Sequence, residues 1–183
     1  RADDRLVLHS LQQPGEVEVD ELDPTTDLGW AGYAAGVVWA LREAGHRIGG
    51  LDLVLDGQVP TGAGLSSSAA MECSVGLAAL DLFGIAMARE ELARIAQRAE
   101  NDFVGVPCGL MDQMAASVCT ADHALFFDTR DDVREQVAFA PSELGLALLV
   151  VNTRAQHSLN DGAYAERRRS CEQAAAVLGV EFL

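Results

Sequence analysis

The chain has 183 residues, 49% of them hydrophobic, which is ample for a packed core and excludes a disordered chain. Twenty-eight acidic against 13 basic side chains leave a net charge of −15, which sets the chain against nucleic-acid phosphates and anionic lipid surfaces. A small phosphorylated ligand stays open to it, received by local devices such as backbone amides, a helix N-terminus or a carboxylate-held divalent ion.

Residues 5–19 alternate as two short strands about a turn at Pro14-Gly15. The D-P-T-T-D stretch at 23–27 introduces a helix over about 29–44, with Trp30, Tyr33, Val37, Trp39 and Leu41 among its apolar positions and Gly45 at its end. A strand over about 50–56 leads into P-T-G-A-G-L-S-S-S-A-A at 60–70, and from Ser66 to Phe83 the pattern is helical and rich in small residues. A helix over about 88–102 sets Leu92, Ile95, Ala96, Ala99 and Phe103 along one face. V-P-C-G-L-M-D-Q-M at 106–114 opens a further, unusually apolar helix. Two strands follow at 122–128 and 133–139, then a domain boundary at Pro141-Ser142, a buried strand at 144–152 and a helix over about 162–178. Strands, then several helices, then strand and helix again make an α+β chain rather than a regular βαβ alternation.

All 13 basic residues are arginine, so neither a Schiff-base lysine nor a Walker-type phosphate lysine can come from this chain. Cys73, Cys108, Cys119 and Cys171 are too scattered for a zinc site or a disulfide framework and read as reduced thiols of a cytoplasmic protein. No segment has the length and apolarity of a membrane span or a signal peptide. The chain begins at Arg1 without a methionine and stops directly after a helical pattern, so both ends are expected to be cut.

Four places invite chemistry. Gly62-Ala63-Gly64-Leu65-Ser66-Ser67-Ser68-Ala69-Ala70 lies between a strand and a helix, with small residues that let a triphosphate approach the backbone and serines at a helix start whose free N–H groups meet an anion. A plain glycine turn with a serine cap is the competing reading. Asp112 stands among Leu110, Met111, Met114, Ala115 and Val118. If buried there, its charge costs several kcal/mol, against ~0.3–1 kcal/mol of support from the helix dipole, so a cationic partner or a substrate hydroxyl is expected. An acid capping the helix surface is the alternative. Glu100, at the border of an apolar face, reads by itself as a solvated helix-end acid, and Tyr164 as a core aromatic. His157 receives no role, Arg167-Arg168-Arg169 reads as a solvated helix face, and Trp30 as a core tryptophan.

The string P-T-G-A-G-L-S-S-S-A-A resembles the phosphate loop of the galactokinase, homoserine kinase, mevalonate kinase and phosphomevalonate kinase superfamily, and its triple serine resembles the galactokinase branch. C-G-L-M-D-Q at 108–113 is similar to the galactokinase C-G-x-M-D-Q segment, and A-E-N-D-F-V-G at 99–105 to A-E-x-x-F-x-G. The stretch 152–172 resembles N-S/T-x-x-x-H-S-L…E-Y-x-x-R-R-x-x-C-E, although Ala163 stands where many relatives carry glutamate.

The resemblance implies a ribosomal-protein-S5-like N-terminal kinase domain over 1–141 and the start of a ferredoxin-like C-terminal domain over 142–183. It further implies ATP phosphates on Gly62, Ala63, Gly64, Leu65, Ser66, Ser67 and Ser68, Mg²⁺ held by Ser68 and Glu100, Asp112 as catalytic base, and a sugar hydrogen bond from Tyr164. The implied reaction is transfer of the ATP γ-phosphoryl group to the C1 hydroxyl of galactose by a monomeric parent enzyme, with no nucleic-acid or membrane partner. The family's G-R-V-N-L-I-G-E-H-T-D-Y and G-G-G-F-G-G strings do not occur in this sequence, so the 183 residues alone are expected to be inactive. A non-catalytic galactose and ATP sensor, or a sister kinase for arabinose, galacturonate or N-acetylgalactosamine, are the rival readings.

Overall fold

The computed structural model describes residues 3–151 and 163–183, the latter with side chains from Glu166 onward. Strand β1 (Leu6–Ser10) buries Leu6, Leu8 and Ser10 on one face, the period-2 pattern that its alternation foretells. It is the centre of a three-stranded sheet, antiparallel to β2 (Glu16–Val19) and parallel to β3 (Leu51–Leu55), so that Leu6 faces both Val19 and Leu51. Helix α1 (Ala31–Glu43) connects β2 to β3. Arg42 in its last turn donates to the carbonyls of Ile48 and Gly49 at 2.9 and 3.1 Å, which fixes the entry into β3.

Helix α2 (Ser67–Phe83) and helix α3 (Arg89–Arg98) pack with α1 around a core of Val37, Val38, Leu41, Val75, Leu80 and Leu92, and helix α4 (Met111–Val118) packs on α2 and α3. The apolar face foreseen for 88–102 is present: Leu92, Ile95, Ala96, Ala99 and Phe103 are all buried. The helix itself differs from expectation. At Ala99 it loosens into a π turn (Ala99–Val104), which swings the following side chains relative to a regular α-helix. Gly36 of α1 makes room for it: a Cβ there would lie 3.2 Å from Phe103 and 3.3 Å from Ala99. Phe103 in turn meets Trp39 with ring centroids 5.7 Å apart, and the Arg98 guanidinium covers that indole at 5.1 Å. Trp30 packs half-buried against the same core.

Strands β4 (His123–Asp128) and β5 (Val133–Ala138) form an antiparallel hairpin, tied to α3 by the Arg94–Asp132 ion pair at 2.8 Å. A short 3₁₀ turn over Pro141–Leu144 follows. The buried strand foreseen at 144–152 is not formed: residues 146–151 have no regular structure, and Leu149 is 83% exposed. The run is apolar enough for a strand, but a strand needs a hydrogen-bonded neighbour, and neither described sheet pairs with it. Helix α5 (Ala163–Leu178) is present, with only Ala175 buried from Glu166 onward. Among the described residues no helix is long and apolar enough to cross a membrane.

Candidate active site

The loop between β3 and α2 takes left-handed backbone at three of five successive residues: Gly62 at φ 72°, Gly64 at φ 71° and Ser66 at φ 54°. A Cβ at either glycine would meet no atom within 4 Å, so glycine is needed there for its conformation and not for space. Ser66, with a side chain, holds the same conformation at a cost of about 1–2 kcal/mol, the kind of local strain that rigid binding loops store. Helix α2 then starts at Ser67 with no side-chain cap and no acidic residue in its first turn. Its leading N–H groups are left for an anion. Gly62, Gly64 and Leu65 are exposed, and Ser66, Ser67 and Ser68 are half-buried.

One turn into α2 lies Glu72, fully buried, and Glu100 of the π turn and Gln113 of α4 are buried beside it. The Gln113 side-chain amide joins them: its Nε2 donates to Glu100 Oε2 at 2.8 Å and to Glu72 Oε2 at 3.2 Å. Glu72 Oε1 and Gln113 Oε1 are buried without a partner. The backbone around this group is fixed by Asn101, whose Oδ1 accepts from the Cys108 amide at 2.7 Å while its Nδ2 and that of Gln97 Nε2 both reach the Cys108 carbonyl at 3.4 Å. These bonds set the loop that delivers α4 and therefore the direction of Gln113 and Asp112.

Burial dominates the electrostatics. It pushes the Glu72 carboxyl up to about 9, helped by repulsion from Glu100 and opposed by the Gln113 amide. Glu100 is raised as well, first by burial, while the nearby Ser68 hydroxyl, Cys108 thiol and Glu72 acid group pull it back toward the charged form and the Asp112 charge pushes it up. Both carboxyls are therefore raised by burial, Glu72 the further of the two, while hydroxyl, thiol and amide donors favour the charged form of Glu100. Tyr33 is raised by its own burial and then by Glu100 and Glu72, and the Cys73 and Cys108 thiols are raised to about 12, mainly by burial.

Of the residues named from sequence, Glu100 and Asp112 are linked through Gln113, which follows Asp112 and donates to Glu100 at 2.8 Å, and the Ser68 hydroxyl favours the charged form of Glu100 while Asp112 opposes it. Two expectations are corrected. Asp112 is half-buried, not enclosed by its apolar neighbours, because those residues lie on other faces of α4, with Met111 64% exposed. It accordingly needs no cationic partner to be stable, and none is present among the described residues. Glu100 is not a solvated helix-end acid but 3% exposed, since the π turn carries it inward. The side chain of Tyr164, like His157, lies outside the described residues. Sequence reading missed Glu72 and Gln113. Their signal was available for Glu72, an acid on the stripe Ala69, Glu72, Val75, Ala79 that helical periodicity assigns to the core.

A hydroxyl and a carboxylate at the edge of an anion-receiving helix end form a hard-oxygen donor set that fits a magnesium ion arriving with phosphates. Among the described residues no group of three or more His, Cys, Asp or Glu side chains is arranged to hold a metal alone, so phosphate and water oxygens would have to complete the coordination.

Residues 32–120 match the GHMP kinases N terminal domain, a span that contains the loop, Glu72, Glu100, Asp112 and Gln113. The galactokinase of Streptomyces coelicolor is 50% identical over 186 residues, covering 100% of this chain and 48% of that protein. Residues 32–120 thus carry a GHMP kinase N-terminal domain. The galactokinase of Mycobacterium tuberculosis is 48% identical over 155 residues, 85% of this chain and 43% of that protein. Among solved structures, Lactococcus lactis galactokinase complexed with galactose superposes with a TM-score of 0.82 at 29% identity, over 100% of this chain and 49% of that one. The chain thus spans about half the length of the relatives it matches. The α+β reading and the expected kinship are both met.

Proposed function

We propose that the protein carrying this chain transfers the γ-phosphoryl group of ATP to the C1 hydroxyl of galactose. The observation that carries the reading is the glycine-serine loop with left-handed backbone at the start of α2, beside Glu100 of the π turn, which is bonded at 2.8 Å to Gln113, the residue after Asp112. The similarity to galactokinases along the whole chain supports it.

In this reading the amides of Gly62, Ala63, Gly64, Leu65, Ser66, Ser67 and Ser68 cradle the triphosphate, with the α2 dipole behind them. Ser68 and Glu100 would hold Mg²⁺, which when bound neutralises phosphate charge. Asp112, half-buried and with no ion-pair partner among the described residues, accepts the proton of the sugar hydroxyl. Tyr164 hydrogen-bonds the sugar. Positioning and electrostatics carry most of such a transfer, which suits a site whose acids are fixed by buried hydrogen bonds. Residues 1–141 form the nucleotide-binding domain and 142–183 the beginning of a second, in a monomeric cytoplasmic enzyme.

The test is ATP-dependent phosphorylation of galactose by the full-length protein, wild type against Asp112→Ala. Galactose-1-phosphate from the wild type and a loss of about 10³-fold in the variant support substrate and base together. Turnover that survives the substitution removes Asp112 from the reaction. Binding of ATP and galactose without turnover identifies a sensor instead, and turnover of another sugar identifies a sister kinase.

A further inference from the structure

Glu100, the carboxylate assigned above to the divalent ion, is held by Gln113, and Gln113 is held by Glu72. The Gln113 amide nitrogen donates to Glu100 Oε2 at 2.8 Å and to Glu72 Oε2 at 3.2 Å, with the Cys108 sulfur a more distant acceptor at 3.6 Å. Turning that amide over would bring Gln113 Oε1 against two carboxyl oxygens. Two carboxyl acceptors on one side therefore hold its orientation more firmly than Glu100 alone would.

The arrangement is not the most stable filling of this space. Glu72 Oε1 and Gln113 Oε1 are buried without partners, and a well-packed apolar side chain at position 72 would remove the first of these orphans. A buried acid with an unpartnered oxygen, kept one turn after the phosphate loop, needs a reason outside packing. We infer that Glu72 is a positioning residue for Glu100, acting through the Gln113 amide to aim the Glu100 carboxylate at the ion shared with Ser68. Fully buried, Glu72 would itself touch neither the ion nor the phosphates. The inference rests on the kinase reading above and adds a residue to it that the sequence motifs leave without a role.

The test uses the full-length protein with Glu72→Met, which keeps the side-chain length and removes the acceptor, and Glu72→Gln, which keeps a neutral acceptor for the Gln113 amide. Three readouts are taken: Mn²⁺ affinity in the presence of ADP by electron paramagnetic resonance, ADP affinity without metal by calorimetry, and galactose turnover. Glu72→Met is expected to weaken Mn²⁺ binding by about 10-fold to 100-fold, the usual range for an outer partner of a metal ligand. ADP affinity without metal should stay within about twofold, because the loop amides are untouched, and Glu72→Gln should restore Mn²⁺ affinity to within about threefold of wild type, on the same outer-partner reasoning. Wild-type Mn²⁺ affinity in Glu72→Met, or equal losses with and without metal, overturns the positioning role while galactose turnover by the wild type keeps the kinase reading. A wild type that binds ADP but no Mn²⁺ overturns both the inference and the metal assignment of Ser68 and Glu100.

Discussion

The Gln113 amide and the Glu100 carboxylate meet at 2.8 Å in the interior although thirteen residues separate them, one at the start of α4 and the other inside a π turn. This bond joins the two segments that carry the proposed ion ligand and the proposed base, since Asp112 directly precedes Gln113. Stability and chemistry are therefore tied to one side chain.

Gln113→Leu should show the tie directly. It leaves two buried carboxyl groups facing each other without their common donor, and removing one partner from such a group costs about 2–4 kcal/mol. Urea denaturation of the full-length protein should register that loss, and Gln113→Glu, which adds a third acid, should be worse than Gln113→Leu.

How much of this was legible depends on how local each signal is. The loop could be read because its requirements are satisfied within seven residues: glycines where φ is positive, serines where a helix begins, and no acid in the first turn of α2. Glu100 was named by resemblance, yet its burial was not legible, because no periodicity in A-E-N-D-F-V-G announces a π turn. That turn depends on Gly36, sixty or more residues earlier, giving Phe103 room. Gln113 carries no local signal, since its partners come from two other helical segments. The run at 144–151 failed for the opposite reason: its composition is right for a strand, but strand formation is decided by a neighbour and not by the segment itself.

The pH dependence of stability should carry the mark of Glu72. An unfolded chain releases that proton near the ordinary value of 4.5, whereas the folded chain keeps it up to about 9. Between those values the folded state binds more protons, so stability falls as pH rises, by at most about 1.4 kcal/mol per pH unit. Urea midpoints at several pH values across that window should therefore decline in the wild type and decline less in Glu72→Gln. A variant slope as steep as the wild type's would mean that Glu72 is ionised in the folded protein.

The four thiols should separate into two classes. Burial raises Cys73 and Cys108 to about 12, so almost no thiolate is present on either at pH 8. Cys119 and Cys171 are exposed. Alkylation of the native protein followed by peptide mass spectrometry should label Cys119 and Cys171 within minutes and leave Cys73 and Cys108 unmodified until denaturant is added. Rapid labelling of Cys108 would show that the loop held by Asn101 opens on that timescale.

Two glycines of α1, one turn apart, should respond in opposite directions to the same substitution. At Gly32 an added Cβ would come no closer than 3.9 Å to Leu28 and Val104, an ordinary contact, so Gly32→Ala should gain up to about 1 kcal/mol from helix propensity. At Gly36 the added Cβ would lie 3.2 Å from Phe103 and 3.3 Å from Ala99, both parts of the π turn and backed by Trp39. Gly36→Ala should cost about 1–3 kcal/mol, as overpacking does. Because the atoms that must yield belong to the turn bearing Glu100, Gly36→Ala should also weaken Mn²⁺ binding to the ADP-loaded protein, whereas Gly32→Ala should not. Equal effects of the two substitutions on metal affinity would separate the π turn from the placement of Glu100.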